Sequence, residues 1–519
     1  MDGVSQQKGV MKKRICLINT LWGSKKAISF APSLGLGYIA AVLEWEGFQV
    51  KIIDRIALYF CGKNIDLEGV DKATIKEILN FRPQYIGITA TTIQCFDMFH
   101  IIPKIRETHG LVDCIIIAGG FHPSIEPELT LKMCPEIDIV CRGEGELKLL
   151  DIVSEKKLED IPGITFKQNG KFYSTPEVEA IKDIDEVPWP ARHLIDMRFY
   201  LNPKRNIVSG LPLKTATQLT SRGCPYNCKF CASKHIQKRV RLHSWEYVLK
   251  EYEFLCEEYR PELITFMDDM FLASKDRVKK ICWYMIEKKM DRRVKWSCSV
   301  RTDVVDEEIL RLMKRAGCVY VIYGLESGSQ KMLDYMNKQT TVEQNINAVH
   351  AANRAGILIN SAFIVNLPGE TEQDFQATLK FIKNNKIYMP NLNNLMVLPG
   401  SKYYDEIFRD KIFNPTKLLE LWQNIAKLPE SIDDIRKLPI YSSIPREKFL
   451  QLWENGWEIV SYKANINYAL VNWYRTPLES LKRLLAAVLP PILGGKKTKI
   501  WQFIKKMYFE IEKICALQK

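Results

Sequence analysis

The chain has 519 residues, 46% of them apolar and 26% charged, with 27 glycines and 24 prolines. This is the composition of a globular protein of two or three domains, and it excludes a disordered, collagen-like or disulfide-scaffold chain. No apolar run is long enough to read as a membrane span, and the first twenty residues lack the continuous apolar core of a secretory signal, so a cytoplasmic chain is expected. The net charge of +13 admits nucleic acid, an anionic cofactor or an acidic membrane surface as partner. Seven of those charges fall in the last 48 residues, where ten basic residues face three acidic ones.

In chain order, residues 12–150 alternate short apolar runs (Ile15–Asn19, Val50–Asp54, Tyr85–Thr89, Cys114–Gly119, Ile137–Val140) with helical stretches such as Gly37–Glu46 and Thr74–Leu79. Strands buried on both faces and separated by helices predict a doubly wound parallel sheet of flavodoxin-like type, with ligands at the carboxyl ends of its strands. Residues 151–213 read as a connector holding a hairpin, Ile164–Ser174, turned at Asn169-Gly170. From 214 to 410 a second alternation begins, with strands expected at Thr215–Thr220, Leu263–Met267, Lys295–Val300, Val319–Tyr323, Leu358–Val365 and Asn393–Val397. Six such units predict a partial (β/α)6 barrel. Residues 411–519 read as mostly helical.

Fourteen cysteines in a chain of this kind are better read as thiols or metal ligands than as disulfides. Three are clustered, directly after the first barrel strand: Ser221-Arg222-Gly223-Cys224-Pro225-Tyr226-Asn227-Cys228-Lys229-Phe230-Cys231. Cys224, Cys228 and Cys231 in C-x3-C-x2-C spacing suit three corners of a cubane iron–sulfur cluster, leaving the fourth iron open to a substrate. The same residues with His235 also suit a Cys3His zinc site. An aromatic before the last cysteine, and a barrel rather than a small finger around the loop, favour the cluster.

This loop resembles the radical S-adenosylmethionine (SAM) superfamily over residues 214–410. The resemblance implies a 4Fe-4S cluster on the three cysteines, SAM on the open iron, and reductive cleavage of SAM to a 5′-deoxyadenosyl radical that abstracts hydrogen. It also implies SAM contacts at the strand ends: Phe230 in the loop, Asp268 and Asp269 after the second strand, and Ser299 and Arg301 after the third. Glu326 in Gly324-Leu325-Glu326-Ser327-Gly328 follows the fourth, and Leu398 follows the sixth. Read from local pattern alone, each carboxylate serves equally as a helix N-cap.

The N-terminal domain resembles a cobalamin-binding domain. The resemblance rests on Pro32-Ser33-Leu34-Gly35-Leu36-Gly37-Tyr38, on Gly87-Ile88-Thr89-Ala90-Thr91-Thr92, and on Gly119-Gly120-Phe121-His122-Pro123-Ser124. It implies that Ser33, Leu34, Gly35, Thr89, Thr91, Thr92, Gly119, Gly120 and His122 surround cobalamin, the glycines allowing close approach of a bulky ligand. Ordinary strand-to-helix turns use the same residues. The D-x-H-x-x-G signature that supplies a histidine to cobalt in many cobalamin proteins is absent, as in cobalamin-dependent radical SAM methylases and equally as in a domain that has lost cobalamin. Methylthiotransferases carry three further N-terminal cluster cysteines. Here Cys16, Cys61, Cys95, Cys114, Cys134 and Cys141 sit mostly in or beside apolar runs, which argues against that family.

The resemblance implies methylation of an unactivated carbon, with SAM used once as methyl source and once as radical source. Ring or carbon–carbon bond formation, with a lipid among the substrates it would suit, is the other enzymatic reading, and a non-catalytic cobalamin or redox sensor is a third. A small-molecule or lipid substrate and a reductant such as flavodoxin or ferredoxin are the partners expected. Nucleic acid is not, since no aromatic–basic interleaving is present. The basic amphipathic stretch at Lys496–Lys519 suits either peripheral contact with a membrane interface or packing on the barrel with a solvated lysine face.

Overall fold

The computed structural model describes residues 13–21, 31–61, 66–177, 180–203, 207–208, 211–237, 239–408, 438–472 and 477–492. The five N-terminal apolar runs form β1 (Arg14–Asn19), β2 (Gln49–Asp54), β3 (Tyr85–Thr89), β4 (Ile115–Gly119) and β5 (Ile139–Cys141), all parallel, in the order β2-β1-β3-β4-β5. Alternate residues enter two separate cores. Cys16, Ile18, Ile86, Ile88 and Ile116 face one side, and Ile15, Leu17, Tyr85, Ile117 and Ile139 the other. Burial on both faces is what lets these strands read as continuous apolar runs. The order reverses between β1 and β3, so the connections leaving those strands part and open a crevice at their carboxyl ends. Helix α1 (Leu34–Trp45) begins there.

The hairpin does not stay in the connector. Its strands β6 (Ile164–Gln168) and β7 (Lys171–Ser174) extend the sheet as an antiparallel edge beside β5. Asn169 and Gly170 both take positive φ, 50° and 75°, as a two-residue hairpin turn requires. Connector residues then bind the two halves together. Tyr200 Oη donates to Asp54 at the end of β2 (2.5 Å), and buried Arg192 donates to the Thr217 carbonyl (2.8 Å) and pairs with buried Glu251 (2.6 Å).

Six parallel strands follow in simple order: β8 (Thr215–Gln218), β9 (Leu263–Phe266), β10 (Lys295–Val300), β11 (Cys318–Glu326), β12 (Leu358–Val365) and β13 (Met389–Asn394). The sheet is an open partial barrel. β8 and β9 end one or two residues before the expected Thr220 and Met267, and two strands differ more. β11 runs to Glu326, with a register shift between Gly324 and Glu326. β13 starts at Met389, ahead of the expected Asn393–Val397. Its asparagines disguise it: Asn391 and Asn393 donate to the Ser361 and Phe363 carbonyls of β12 (3.1 and 3.3 Å), and Pro390 is tolerated because β13 lies at the edge.

A long helix, α2 (Arg446–Asn472), covers that edge. Lys463 donates to the Asn385 carbonyl (2.7 Å) and Asn467 to those of Ile387 and Tyr388 (2.8 and 3.1 Å), capping backbone groups that an open edge would expose. A further helix, α3 (Pro477–Ile492), packs on α2. Among the described residues no helix is long and apolar enough to cross a membrane. The basic tail expected to be amphipathic lies outside the described residues.

Candidate functional site

The cysteine loop leaves β8 under tight control. Asp268, fully buried after β9, accepts from the backbone N–H of Thr220 (2.6 Å) and of Ser221 (2.9 Å), and from the Thr220 hydroxyl. Arg277 donates to the Thr220 carbonyl (2.5 Å) and hydroxyl (3.0 Å). Burial pushes the Asp268 carboxyl above the usual range, against the bonds from Thr220. Asp268 therefore anchors the loop from behind, which differs from the SAM contact expected of it. Its neighbour Asp269 is exposed and lines a cavity.

Cys224 and Cys228 are half-buried and Cys231 is exposed; all three are free thiols. They are close enough for Cys231 to act electrostatically on both others. No three His, Cys, Asp or Glu side chains among the described residues are drawn to metal-binding distance. The donor set nevertheless fits an iron–sulfur cluster: three thiols on one short loop, with Arg301 Nη1 3.9 Å from Cys228 Sγ and Lys338 beside it. Burial pushes the Cys228 thiol up, and those two cations oppose the shift, as an anionic cluster would need.

Arg301 is held firmly. Its Nε and Nη2 donate to the two Asp303 oxygens (3.0 Å each), Nη2 also donates to the Lys338 carbonyl (2.6 Å), and the guanidinium stacks 3.4 Å from the Tyr226 ring centroid. The carboxylate it was expected to meet on SAM is here supplied by Asp303. Glu326, also expected to face SAM, pairs with Lys338 Nζ at 2.8 Å, both side chains being buried. Glu326 stands at φ 61° beside the β11 irregularity, a conformation that costs a non-glycine residue about 1–3 kcal/mol. Such strain is characteristic of functional sites. Phe230 is half-buried, with its ring 6.0 Å from Lys338 Nζ. Ser299 is half-buried in β10, and the Leu398 carbonyl accepts from Ser401 Oγ (2.7 Å).

Lys338→Met should be strongly destabilising, by about 3–5 kcal/mol, because it strands the buried Glu326 charge. Chemical denaturation checks this, and the double variant with Glu326→Leu should recover most of the loss. A single-variant loss under about 1 kcal/mol would mean the pair is not buried in solution.

A cavity of about 440 Å³ joins the two halves. The N-terminal sheet contributes Ser33, Gly35, Thr89, Gly119 and Gly120, and the barrel contributes Arg222, Gly223 and Asp269. The predicted cobalamin residues thus converge in part. Leu34 instead packs into a core with Tyr38 and Val42. Thr91 caps a short turn with Gln94, and Thr92 is buried in that turn. His122 is fully buried, its ring 6.1 Å from that of Phe99. A cradle for a bulky ligand is present nonetheless, since a Cβ on Gly35 would meet nothing within 4 Å. Gly120 serves the turn itself. It has φ 91°, and a Cβ would come 2.5 Å from Thr89 Oγ1 and 2.8 Å from the Ala90 carbonyl oxygen.

Burial pulls the His122 imidazole down to about 3. The folded ring stays neutral while the unfolded chain takes up a proton below about pH 6.5. Its contribution to stability is therefore intact above pH 6.5 and is lost as the pH falls toward 3. His122→Leu should flatten the decline of melting temperature between pH 6.5 and 4, and an unchanged slope would exclude this histidine as its source.

Sequence reasoning passed over the residues that close the cavity. Arg222 bridges to Glu144 (2.9 Å) and Glu146 (2.8 Å) at the end of β5 and lies over the Tyr38 ring, 5.1 Å from its centroid. Arg241 also donates to Glu144 (2.7 and 2.8 Å). Burial pushes Glu144 up, but Arg241 and Arg222 outweigh it and hold the carboxyl below its usual range. The available signal was the repeated Gly143-Glu144-Gly145-Glu146, of which only the glycine at the strand end attracts notice in the sequence. Of the six N-terminal cysteines, Cys16, Cys95, Cys114, Cys134 and Cys141 are buried, with the Cys95 and Cys141 thiols pushed up to about 12 by that burial, and Cys61 is exposed.

The radical SAM superfamily profile matches residues 219–382, and the B12 binding domain profile matches residues 26–153. An uncharacterized methyltransferase of Pyrococcus horikoshii is 34% identical over 448 residues, covering 85% of this chain and 91% of that protein. An anaerobic magnesium-protoporphyrin IX monomethyl ester cyclase of Rubrivivax gelatinosus is 28% identical, covering 72% and 66% of the two chains. A cytidylyl-2-hydroxyethylphosphonate methyltransferase of Streptomyces wedmorensis is 26% identical, covering 74% and 79%. Among solved structures, the radical SAM methyltransferase TsrM of Kitasatospora setae, with cobalamin and a [4Fe-4S] cluster bound, superposes with a TM-score of 0.67 at 17% identity, covering 92% of this chain and 100% of that one. The cobalamin-dependent radical enzyme OxsB, with aqua-cobalamin and SAM bound, gives 0.66 at 18% identity, covering 97% and 80%. These last two show likeness of fold.

Proposed function

The chain belongs to the cobalamin-binding radical SAM superfamily, and from that membership we propose that it methylates an unactivated carbon of a small molecule. The observation that carries this reading is the single cavity running from Gly35, Thr89 and Gly119 to Arg222, Gly223 and Asp269 beside the cysteine loop. A methyl carrier and a radical source have to meet over one substrate carbon, and one continuous space allows it.

Cys224, Cys228 and Cys231 would hold the cluster, and the cavity's N-terminal wall would admit cobalamin. When bound, the cluster supplies the electron that cleaves SAM to a 5′-deoxyadenosyl radical, and cobalamin carries the methyl group. The chain's own residues position and enclose. Asp268 and Arg277 fix the start of the cysteine loop, and Asp303 and Tyr226 hold Arg301 beside Cys228. Lys338 holds Glu326 at the end of β11, and the Arg222–Glu144 bridge ties the loop to the N-terminal sheet. An external low-potential protein such as flavodoxin or ferredoxin would supply the electron.

The test is anaerobic reconstitution with iron, sulfide and hydroxocobalamin, followed by iron and cobalt analysis of the same sample. About four irons and one cobalt per chain are expected. Iron without cobalt would overturn the methyl-transfer reading. Ring or carbon–carbon bond formation is then the reading to pursue, in line with the cyclase among the relatives. Products separate the two: methylation releases S-adenosylhomocysteine and 5′-deoxyadenosine together, whereas radical chemistry alone releases only the latter.

A further inference from the structure

The short helix Lys402–Phe408 touches the cysteine loop with one residue and the N-terminal half with the next. Ser401 starts it: its Oγ donates to the Leu398 carbonyl (2.7 Å) and accepts from the Tyr404 backbone N–H (3.2 Å). Tyr403, fully buried, donates its backbone N–H to the carbonyl of Lys229, between Cys228 and Cys231 (3.2 Å). Lys229 in turn donates its own N–H to the Met336 carbonyl (2.9 Å). Its ammonium stands 3.1 Å from Glu406 and 4.6 Å from the Tyr335 ring centroid, and the Tyr335 and Tyr403 rings stack at 5.7 Å. Backbone bonds on both sides of one residue, with its cation over an aromatic face, fix the part of the loop that carries Cys228 and Cys231.

Tyr404 packs against two cores at once. One is the N-terminal core that contains Ile88, Met98, Ala118 and Leu131, and the other is the cluster that contains Leu395, Val397 and Tyr403. Burial pushes the Glu126 carboxyl up, with Asp405 adding to it, and the Tyr404 hydroxyl opposes both by donating a hydrogen bond to Glu126. Gly400, at φ 82°, lies so near Ile125 that a Cβ would come 2.8 Å from Ile125 Cδ1. Ile125 and Glu126 close the helix Phe121–Ile125, which opens at Gly120 on the cavity wall proposed to admit cobalamin. The same helix packs on Ser233–Ile236, the helix that begins two residues after Cys231. Close-packed contacts of this kind transmit a displacement rather than absorb it.

We infer that Tyr404 is a positioning residue, which holds the cysteine loop in register with the cavity wall at Gly119-Gly120 and so sets where a radical source stands relative to a methyl carrier. Placement of that kind matters, since a misplacement of about 1 Å costs about 100-fold in rate. The inference deepens the function proposed above and rests on that reading for the two groups being placed. The contacts that do the placing belong to this chain alone.

The experiment is hydrogen exchange of the full-length protein without cofactors, for the wild type, Tyr404→Ala and Tyr404→Phe. Tyr404→Ala should speed exchange at least about tenfold in residues 121–130 and 224–236 and leave β9 to β11 unchanged, the mark of a local opening. Tyr404→Phe keeps the ring between the two cores and loses only the hydroxyl, so it should fall between the other two. Exchange that rises equally in the barrel strands makes Tyr404 a general packing residue, and unchanged exchange in 224–236 gives it no hold on the loop; either result overturns the inference. A second readout is hydroxocobalamin affinity by equilibrium dialysis, before and after the cluster is reconstituted. A cluster that orders the loop also orders the wall through Tyr404, so the wild type should bind cobalamin at least about fivefold more tightly once the cluster is in place. Tyr404→Ala should bring that ratio close to one. A ratio of one in the wild type, or a wild-type ratio kept by the alanine variant, also overturns the inference. A wild type that takes up iron but no cobalamin defeats the methyltransferase reading, and exchange in 224–236 then decides by itself whether Tyr404 positions the loop.

Discussion

Replacing Cys228 by alanine is expected to abolish both the visible absorbance of the reconstituted protein and all cleavage of SAM. Residues that merely support a metal ligand cost about 10–100-fold when removed, so loss of one of only three ligands should exceed about 100-fold. The surroundings make this position the most sensitive of the three. Cys228 has Arg301 at 3.9 Å and Lys338 as its leading stabilising charge. Alanine would leave both cations facing a gap where the proposed anionic cluster would sit. Cys256→Ala is the control: Cys256 is half-buried on a barrel helix away from the loop, and its replacement should preserve absorbance and cleavage. Anaerobic absorbance and quantification of 5′-deoxyadenosine check the outcome. Cleavage retained in the Cys228 variant would sink the cluster assignment.

Gly35→Trp is expected to weaken cobalamin uptake by more than about 100-fold while leaving the iron content unchanged. The indole buries about 150–250 Å² of surface when enclosed, and at this position it enters the cavity proposed to take cobalamin. The fold should tolerate it, because a Cβ on Gly35 meets nothing within 4 Å and the residue lies in the first turn of α1. Stability should change by no more than about 0.5 kcal/mol, as for open surface sites. Gly120, the more obvious glycine in the sequence, is the wrong place for this test. Its φ of 91° and its backbone contacts under 3.0 Å would turn any substitution into a folding defect. Equilibrium dialysis of hydroxocobalamin against each protein gives the result. Undiminished uptake by a folded Gly35 variant would remove cobalamin from the bridging cavity.

Much of the architecture was legible in the sequence for a simple reason. A parallel strand buried on both faces must be apolar along its whole length, so β1 to β5 stand out as runs such as Ile15–Asn19 and Tyr85–Thr89. β13 was expected four residues too late because it is an edge strand whose polar side chains are satisfied by its neighbour: Asn391 and Asn393 reach the carbonyls of β12, and α2 supplies the missing cover. No single-segment pattern contains that information. The hairpin at Asn169-Gly170 was visible as a turn, but its addition to the N-terminal sheet depends on β5, more than twenty residues away.

The same division runs through the site. Three thiols within eight residues are a local property of the chain, and so is the turn chemistry of Gly119-Gly120; spacing alone was enough to single them out. Partnerships between charged groups are not local. Arg222 finds Glu144 across 78 residues, Glu326 finds Lys338 on a later loop, and Asp268 reaches back 48 residues to hold Thr220. Each carboxylate had two equivalent roles in sequence, as cap or as ligand, because its neighbours along the chain suit both. Burial removes water as a partner and obliges each charge to take whatever the fold brings near it. The amino-acid order therefore specified the strands, the cysteine loop and the chemistry it suits, while folding selected which side chains anchor that loop and which line the shared cavity.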